Sequence, residues 1–244
     1  MPEKITGAIQ EQLAQPGSSF RKYQQSVVGN TRFIDLMLYE VINLVCMSLP
    51  SLPKRFGYRW RRIGLSIISD HIGENVQIGP NNSFLQPKKL HLKDNVETGN
   101  DVTFGIKITG GGIILRENVT IGDNTIFNCS GGTITIGRGT KIQNDCRLGS
   151  LKGLTVGAFC TIGQHTCISG AGHTFSDLNR PIINQPLVSK GHTVIQDGVE
   201  IGERVTILDG IFIGHKSKIA DDSLVIKDIP PESQVSGIPA RSSY

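Results

Sequence analysis

The sequence predicts an all-β solenoid, a parallel β-helix of about seven coils with a helical lead-in and a long loop after coil five. From residue 72 onward an aliphatic residue recurs every six positions, often followed by glycine, as at Ile121-Gly122 and Ile201-Gly202. A period of six fits neither an α-helix nor an alternating strand. The chain contains 29 glycines and only 6% aromatic residues, which favours a core of stacked small aliphatics joined by tight turns.

The recurring positions fall into groups of three, which predicts three short strands in every coil. The seven triplets are 72, 78, 84; 92, 98, 104; 115, 121, 127; 136, 142, 148; 156, 162, 168; 195, 201, 207; and 213, 219, 225. Thr98 is the polar exception among them, and Asn82 is an exception among the small residues that come four positions later. Three strands per coil, turned by glycines that tolerate positive φ, form a triangular prism with coils about 4.8 Å apart.

The chain divides into three parts on this pattern. Residues 1–70 are expected to form a helical extension that caps the solenoid, residues 71–229 the β-helix with its loop at 169–193, and residues 230–244 a tail. Extra residues are expected to form bulged turns near one corner of successive coils, at Lys88-Lys89, Gly110-Gly111-Gly112, Gly131-Gly132 and Lys152-Gly153.

The interruption after Ile168 is the strongest functional signal in the sequence. A long excursion without secondary structure in a compact solenoid is more often functional than incidental. His173 stands at its start, directly after the glycine-rich corner 169–172. We therefore expect His173 to carry chemistry.

The pattern aliphatic-Gly-x-x-small-x, which covers residues 72 to 241, resembles the hexapeptide-repeat acyltransferases. Within that family, His173 ahead of a polar loop with Arg180-Pro181, and the tail Gly237-Ile238-Pro239-Ala240-Arg241, resemble sugar and polysaccharide O-acetyltransferases. The spacing does not determine the hand of the coil; the resemblance implies the left-handed parallel β-helix. It also implies a homotrimer with its active cleft between neighbouring prisms, and acetyl-CoA as the acyl donor.

The resemblance assigns roles to individual residues. His173 would be the general base that accepts the proton of a sugar or glycan hydroxyl, and imidazole suits this because its usual pKa is about 6.5. Asp145 would orient that imidazole, although a solvated turn aspartate is nearly as good an interpretation. Acceptor contacts are expected from Asn144, Asn179 and Arg180. Donor contacts are expected from Gly202, Glu203, Ala220, Asp221, Lys227 and Arg241.

Two departures from the family pattern affect the donor groove. Val199-Glu200-Ile201-Gly202 stands where relatives commonly have Val-Trp-Ile-Gly, and Ala220-Asp221-Asp222-Ser223 replaces a Gly-Ala-Gly-Ser-type turn. Two acids would repel a phosphorylated nucleotide, and Lys227 and Arg241 would offset them. Two alternatives therefore stay open: an N-acyltransferase of a nucleotide amino sugar, and a non-catalytic β-helix that binds a partner or a glycan.

Covalent, metal and nucleic-acid chemistries are disfavoured by the sequence. Of the five cysteines, Cys146 and Cys160 occupy inward positions and Cys129 and Cys167 are expected to face turns, while Cys46 precedes the repeats. The histidines other than His173 lack close metal-ligand spacing, so no metal site is expected. The formal charge of +4 is mild, and no nucleic-acid-binding motif occurs.

The segment ahead of the repeats is apolar over residues 33–47 and basic with aromatic residues over 54–62. Its acidic residues and the prolines at 50 and 53 disfavour a bilayer-spanning helix. It suits either shallow membrane contact through 33–62 or packing on the first coil. With no recognisable signal peptide, the sequence predicts a cytoplasmic protein, peripheral at the inner membrane face if the segment contacts lipid.

Overall fold

Three sheets form the faces of a β-helix in the computed structural model, which describes residues 19–44 and 54–242. Their strands are parallel except for one antiparallel pair at the C-terminal end of the second sheet. Cys46 and the two ends of the chain, 1–18 and 243–244, lie outside the described residues. Strands that follow one another along a coil belong to different sheets, so each strand pairs in parallel with the corresponding strand of the next coil, as in Ile136↔Val156 and Leu148↔Ile168. This is the arrangement that the triplets predicted.

The strands of each face are short. The first sheet contains β1 (His71–Ile72), β4 (Leu90–Leu92), β7 (Gly112–Leu115), β10 (Thr133–Ile136), β13 (Leu154–Val156), β18 (Thr193–Ile195) and β21 (Phe212–Ile213). The second contains β2 (Gln77–Ile78), β5 (Glu97–Thr98), β8 (Thr120–Ile121), β11 (Lys141–Ile142), β14 (Thr161–Ile162), β19 (Glu200–Ile201), β22 (Lys218–Ile219), β24 (Gln234–Ser236) and β25 (Arg241–Ser242). The third contains β3 (Ser83–Leu85), β6 (Thr103–Ile106), β9 (Ile126–Cys129), β12 (Arg147–Ser150), β15 (Cys167–Ile168), β20 (Thr206–Ile207) and β23 (Leu224–Val225). A separate two-stranded sheet pairs β16 (Gly172–His173) with β17 (Leu187–Val188).

The core of the prism consists of the predicted triplet residues. All of them are buried except Ile72 in the first coil, which is half-buried. Aliphatic residues dominate, but the first three coils contain a column of rings that the aliphatic pattern did not predict. Phe84, Phe104 and Phe127 stack with ring centroids 5.2 Å apart. Burial of each such side chain stabilises the fold by about 1.5–3 kcal/mol.

The corners of the prism differ from the prediction in where positive φ occurs. It does not fall on the glycine that follows each aliphatic residue; it falls three positions after the aliphatic, where short polar residues predominate. Examples are Asn75, Asn81, Asn95, Asp101, Asn118, Asn124, Asp145 and Asp222. The repeat glycines are instead required by close approach between coils. A Cβ on Gly79 would lie 2.0 Å from the carbonyl oxygen of Gly99.

Next to these glycines, Asp and Asn side chains of one coil accept hydrogen bonds from backbone N–H groups of the previous coil. In each case a side-chain Oδ1 accepts the backbone N–H that follows a repeat glycine. The pairs are Asp94 with Glu74 at 2.7 Å, Asp123 with Asn100 at 2.7 Å, Asn144 with Asp123 at 3.0 Å, Asp197 with Ala158 at 2.7 Å and Asp221 with Glu203 at 2.9 Å. A Cβ on the glycine would collide with the same oxygen, at 2.2–2.5 Å.

The two exceptions to the repeat, Asn82 and Thr98, form a buried pair. Asn82 Nδ2 donates to Thr98 Oγ1 at 2.7 Å, and Asn82 Oδ1 accepts the backbone N–H of Val102 at 2.7 Å. Both side chains are buried, so each needs its partner, because an unpaired buried polar group costs about 1–3 kcal/mol. The departures from the pattern thus compensate each other.

The extra residues of the early coils stack at one corner. Pro87–Lys89 form a 3-10 turn, and Lys89 Nζ donates to the carbonyl oxygens of Ile108 and Gly110 at 2.8 and 2.9 Å. Gly111 N–H donates to the carbonyl oxygen of Gly131 at 2.6 Å. Successive bulges therefore hydrogen-bond to one another as the coils do.

Three α-helices in the described residues precede the solenoid: α1 (Ser19–Val28), α2 (Phe33–Ile42) and α3 (Lys54–Ile68). α1 and α3 contact strands of the first coil, and α2 packs against α1 and α3. The buried Arg61 donates from Nε to the carbonyl oxygen of Ile78 at 2.6 Å, and Ser69 Oγ donates to that of Leu90 at 3.1 Å. None of the described helices is long and apolar enough to cross a membrane.

Candidate functional site

The interruption of the solenoid is an ordered arm rather than the structureless loop that the sequence predicted. The chain leaves the prism after Ile168 and returns at β18. Between these points β16 and β17 pair antiparallel, with His173 opposite Leu187, and Ile182–Asn184 form a 3-10 turn. We call residues 169–192 the arm. The sequence did not predict this strand pair because each strand has only two residues, which is too short to show an alternating pattern.

Gln185 holds the arm together, and sequence reasoning missed it. Its side chain is 2% exposed although it lies in a polar excursion. Nε2 donates to the carbonyl oxygens of Asp177 and Arg180 at 2.8 and 2.9 Å, and Oε1 accepts the backbone N–H of Asp177 at 3.3 Å. A glutamine carries no pattern signal of its own, so only the folded arm identifies this role.

His173 is held by the backbone of the same glutamine. Its Nδ1 lies 2.8 Å from the carbonyl oxygen of Gln185. A carbonyl oxygen can only accept, so Nδ1 carries the proton, and in the neutral ring Nε2 has a free lone pair. The His173 side chain is exposed on the arm. This tautomer and this exposure are what a general base requires.

Asp145, expected beside His173, contacts another histidine. Its Oδ2 lies 3.9 Å from Nδ1 of His165, and His173 forms no hydrogen bond or ion pair with it. Asp145 has φ of 59°, the left-handed corner position that favours Asn and Asp. Asp145 and His165 line a shallow groove of about 460 Å³ together with Arg147. The orienting partner of His173 is thus a backbone carbonyl.

The residues expected at the acceptor subsite lie in two places. Asn144 lies on the prism, where its Oδ1 accepts the N–H of Asp123. Asn179 and Arg180 lie on the arm with exposed side chains, and both donate their backbone N–H groups to Asp177, at 3.0 and 3.3 Å. The structure therefore places Asn179 and Arg180 on the same arm as His173. The side chain of Asn144 instead hydrogen-bonds to the backbone of the previous coil.

Three of the six expected donor residues line a groove of about 360 Å³ along the second sheet. They are Gly202, Glu203 and Asp221. Ala220, Lys227 and Arg241 do not line this groove. Lys227 and Arg241 are exposed, and Arg241 lies on β25.

The acids of this groove are largely compensated. Asp221 accepts the N–H of Glu203 at 2.9 Å, and Glu200 pairs with Lys218 at 2.9 Å. On the adjoining corner Arg204 pairs with Asp222 at 2.6 Å. These partners offset the repulsion that the acidic residues alone would exert on a phosphorylated nucleotide.

Phe159 is the groove residue that sequence reasoning missed. Its ring is 62% exposed and has the Arg138 guanidinium 5.1 Å from its centroid. It adopts φ of 56°, the corner conformation of this solenoid, which is uncommon for a bulky residue. The available signal was an aromatic at a corner position that elsewhere carries Asn, Asp or Gly. Phe159 supplies an aromatic surface to the groove, which Glu200 also lines.

Three of the described cysteines, Cys129, Cys146 and Cys160, are poor nucleophiles. Burial raises the pKa of the Cys146 thiol to about 11 and raises the pKa values of Cys129 and Cys160. Cys129 was expected to face a turn and is instead fully buried, because β9 extends inward to this residue. Within residues 19–44 and 54–242 no group of three His, Cys, Asp or Glu side chains could hold a metal ion.

Comparison with known proteins finds relatives among acyltransferases, and no family model matches the chain. A UDP-3-O-acylglucosamine N-acyltransferase of Methylorubrum extorquens is 30% identical over 132 residues, which are 54% of this chain and 31% of the relative. A probable macrolide acetyltransferase of Lysinibacillus sphaericus is 36% identical over 104 residues, 36% of this chain and 57% of the relative. The matched region thus spans only about a third to a little over half of these relatives.

Among solved structures, a variant of AntD, an N-acyltransferase of Bacillus cereus in complex with dTDP and coenzyme A, has the same fold. It matches with a TM-score of 0.50 and 18% identity over 71% of this chain and 81% of AntD. This likeness bears on the fold alone and agrees with the predicted left-handed parallel β-helix. The three-faced prism agrees with the fold that the resemblance to hexapeptide-repeat acyltransferases implied, and the relatives that the chain matches over part of their length are acyltransferases.

Proposed function

We propose that this protein is an acetyl-CoA-dependent O-acetyltransferase that modifies a hydroxyl of a sugar or of a polysaccharide or lipid-linked glycan, acting as a homotrimer. The observation that carries the proposal is His173, an exposed residue of the arm whose Nδ1 is hydrogen-bonded to the Gln185 carbonyl oxygen, which leaves the Nε2 lone pair unused by that bond. A hydroxyl is a poor nucleophile at neutral pH, so a positioned base is the element that the reaction most needs.

The proposed reaction moves one proton in and out of His173. Nε2 accepts the hydroxyl proton while the acceptor oxygen bonds to the acetyl carbonyl carbon. The bond from that carbon to the sulfur of coenzyme A then breaks, and the thiolate takes the proton from the imidazolium. Backbone N–H groups at the edge of the coil would stabilise the negative charge on the carbonyl oxygen. The ester and free coenzyme A balance the two substrates.

The groove along the second sheet is the proposed donor site. Phe159 offers an exposed ring for stacking with adenine or packing against the pantetheine, and the cations Arg138 and Lys218 lie at or beside it. Lys227 and Arg241, exposed and without a place in the groove lining, would add charge toward the phosphates. Asn179 and Arg180 would contact the acceptor from the arm.

N-acylation of an amino sugar is the second candidate, because the relative from Methylorubrum extorquens and AntD are named as N-acyltransferases. The same base and donor groove would serve an amine. Incubation with acetyl-CoA and matched sugars and amino sugars, followed by mild alkali, separates the two. Alkali removes an ester and leaves an amide intact.

Calorimetric titration with acetyl-CoA tests the donor site. We expect binding by the wild-type protein and a roughly tenfold loss of affinity in Phe159→Ala, because the ring loses its stacking partner. Phe33→Ala is the matched control, since Phe33 is also 62% exposed but lies on α2, and it is expected to bind like wild type. Absence of binding at millimolar acetyl-CoA would overturn the enzymatic proposal and favour the non-catalytic β-helix.

A further inference from the structure

The helical cap presents an apolar surface to solvent. We define the cap face as the exposed residues of α2 with Leu44 after it, and of α3. Apolar residues predominate on it: Phe33, Ile34, Met37, Leu38, Val41, Leu44, Phe56, Trp60, Ile63 and Ile67. On α3 they recur at helical spacing, with Arg59 exposed between them.

These outward residues are not needed to cover the solenoid. α1 and α3 contact the strands of the first coil. The other sides of α2 and α3 are buried in the core, through Leu36, Tyr39 and Ile42 on α2 and through Leu65 and Ile68 on α3. A helix that packs on a core with one side normally carries polar residues on the other. A second apolar face therefore indicates a second surface that the cap contacts.

The exposed sides of the two helices meet at one place, and the helices themselves are packed together. Leu38 of α2 and Ile67 of α3 line the same small cleft, together with Val28 and Pro87. Ten large apolar side chains gathered on one end of the prism exceed the scattered exposure that is normal for a soluble surface.

The charge of the chain is concentrated in the same region. Residues 1–70 contain nine lysines and arginines against five aspartates and glutamates, whereas residues 71–244 contain sixteen of each. The whole net charge of +4 thus belongs to the segment that contains the cap. A second copy would bring the same positive charge to the contact, whereas an anionic surface would be attracted to it.

We propose that the cap face docks the protein on an anionic lipid bilayer, with α2 and α3 lying in the interface and not crossing it. Apolar side chains would enter the boundary between headgroups and acyl chains, while Arg59 and neighbouring cations contact lipid phosphates. Trp60 suits this position because its ring is amphipathic and half-exposed on the cap face.

The chain contains its own reporter for this contact, because Trp60 is its single tryptophan. Full-length protein is mixed with vesicles of phosphatidylcholine alone or with phosphatidylglycerol, with and without brominated acyl chains. We expect a blue shift of Trp60 emission and quenching by bromine with the anionic vesicles, and much weaker changes with neutral ones. Equal response to both vesicles would overturn the electrostatic part, and no response to either would overturn the proposal.

Substitutions on the cap face test whether this surface is what binds the vesicles. Val41→Gln with Ile63→Gln is expected to weaken vesicle partitioning about tenfold or more, since each removes an inserted aliphatic side chain. Arg59→Glu is expected to weaken binding to anionic vesicles only. Ile238→Gln, at an exposed isoleucine of the C-terminal tail, is the matched control and should bind like wild type. A blue shift that depends on protein concentration without vesicles would instead assign the face to a second copy of the chain.

Discussion

Alanine at position 173 is expected to lower acetyl transfer about a thousandfold, within the range of 10²–10⁴ typical for loss of a general base. The imidazole is exposed on the arm, and its single described contact is with a backbone carbonyl. Its removal should therefore leave the fold and donor binding unchanged. Steady-state rates with saturating acetyl-CoA, together with calorimetry on the same variant, measure both effects.

The control for this substitution is His71→Ala. His71 is also exposed, but it stacks on His91 in the first coils, at a centroid distance of 4.1 Å. We expect this variant to turn over like wild type. Unchanged turnover in His173→Ala would remove the proposed base and with it the mechanism.

Alanine at position 79 is expected to destabilise the β-helix by about 3 kcal/mol, the upper end of the usual cost of forcing extra volume into a packed interior. The new Cβ would lie 2.0 Å from the Gly99 carbonyl oxygen, which belongs to the backbone of the next coil and cannot rotate away. Each coil contacts only its neighbours, so the coil spacing must increase locally. Urea unfolding followed by circular dichroism measures the change in free energy of unfolding.

Gly172→Ala is the matched control for stability. A Cβ at Gly172 would meet no atom within 4 Å, and its φ is not in the left-handed region. We expect its free energy of unfolding to match wild type within about 0.5 kcal/mol. If Gly79→Ala were equally harmless, close approach between coils would not be the reason for glycine after the repeated aliphatic residues.

The fold could be predicted because one constraint repeats in every coil. An inward side chain must sit above its counterpart in the next coil, and a one-residue slip would turn it outward. That requirement produced the period of six and correctly identified inward residues from Ile78 to Val225. The interpretation of the glycines was wrong because sequence does not distinguish a residue that needs positive φ from one that must lack a Cβ.

The site could be predicted only where position in the chain carried information. His173 was identifiable because it begins the interruption, and the arm indeed exposes it. Gln185 and Phe159 were missed because their roles depend on contacts between residues that lack a repeating pattern. Asp145 illustrates the opposite case: its corner position favours Asp for backbone reasons, and the structure places its carboxylate beside His165 and not beside His173.

The central claim is that the arm fixes the tautomer of His173 with Nε2 free to accept a proton. Nitrogen-15 NMR of the imidazole, assigned with His173→Gln and recorded where the ring is neutral, measures this directly. The account predicts a proton on Nδ1, hydrogen-bonded to the Gln185 carbonyl, and a bare Nε2. A proton on Nε2 with Nδ1 bare would contradict it.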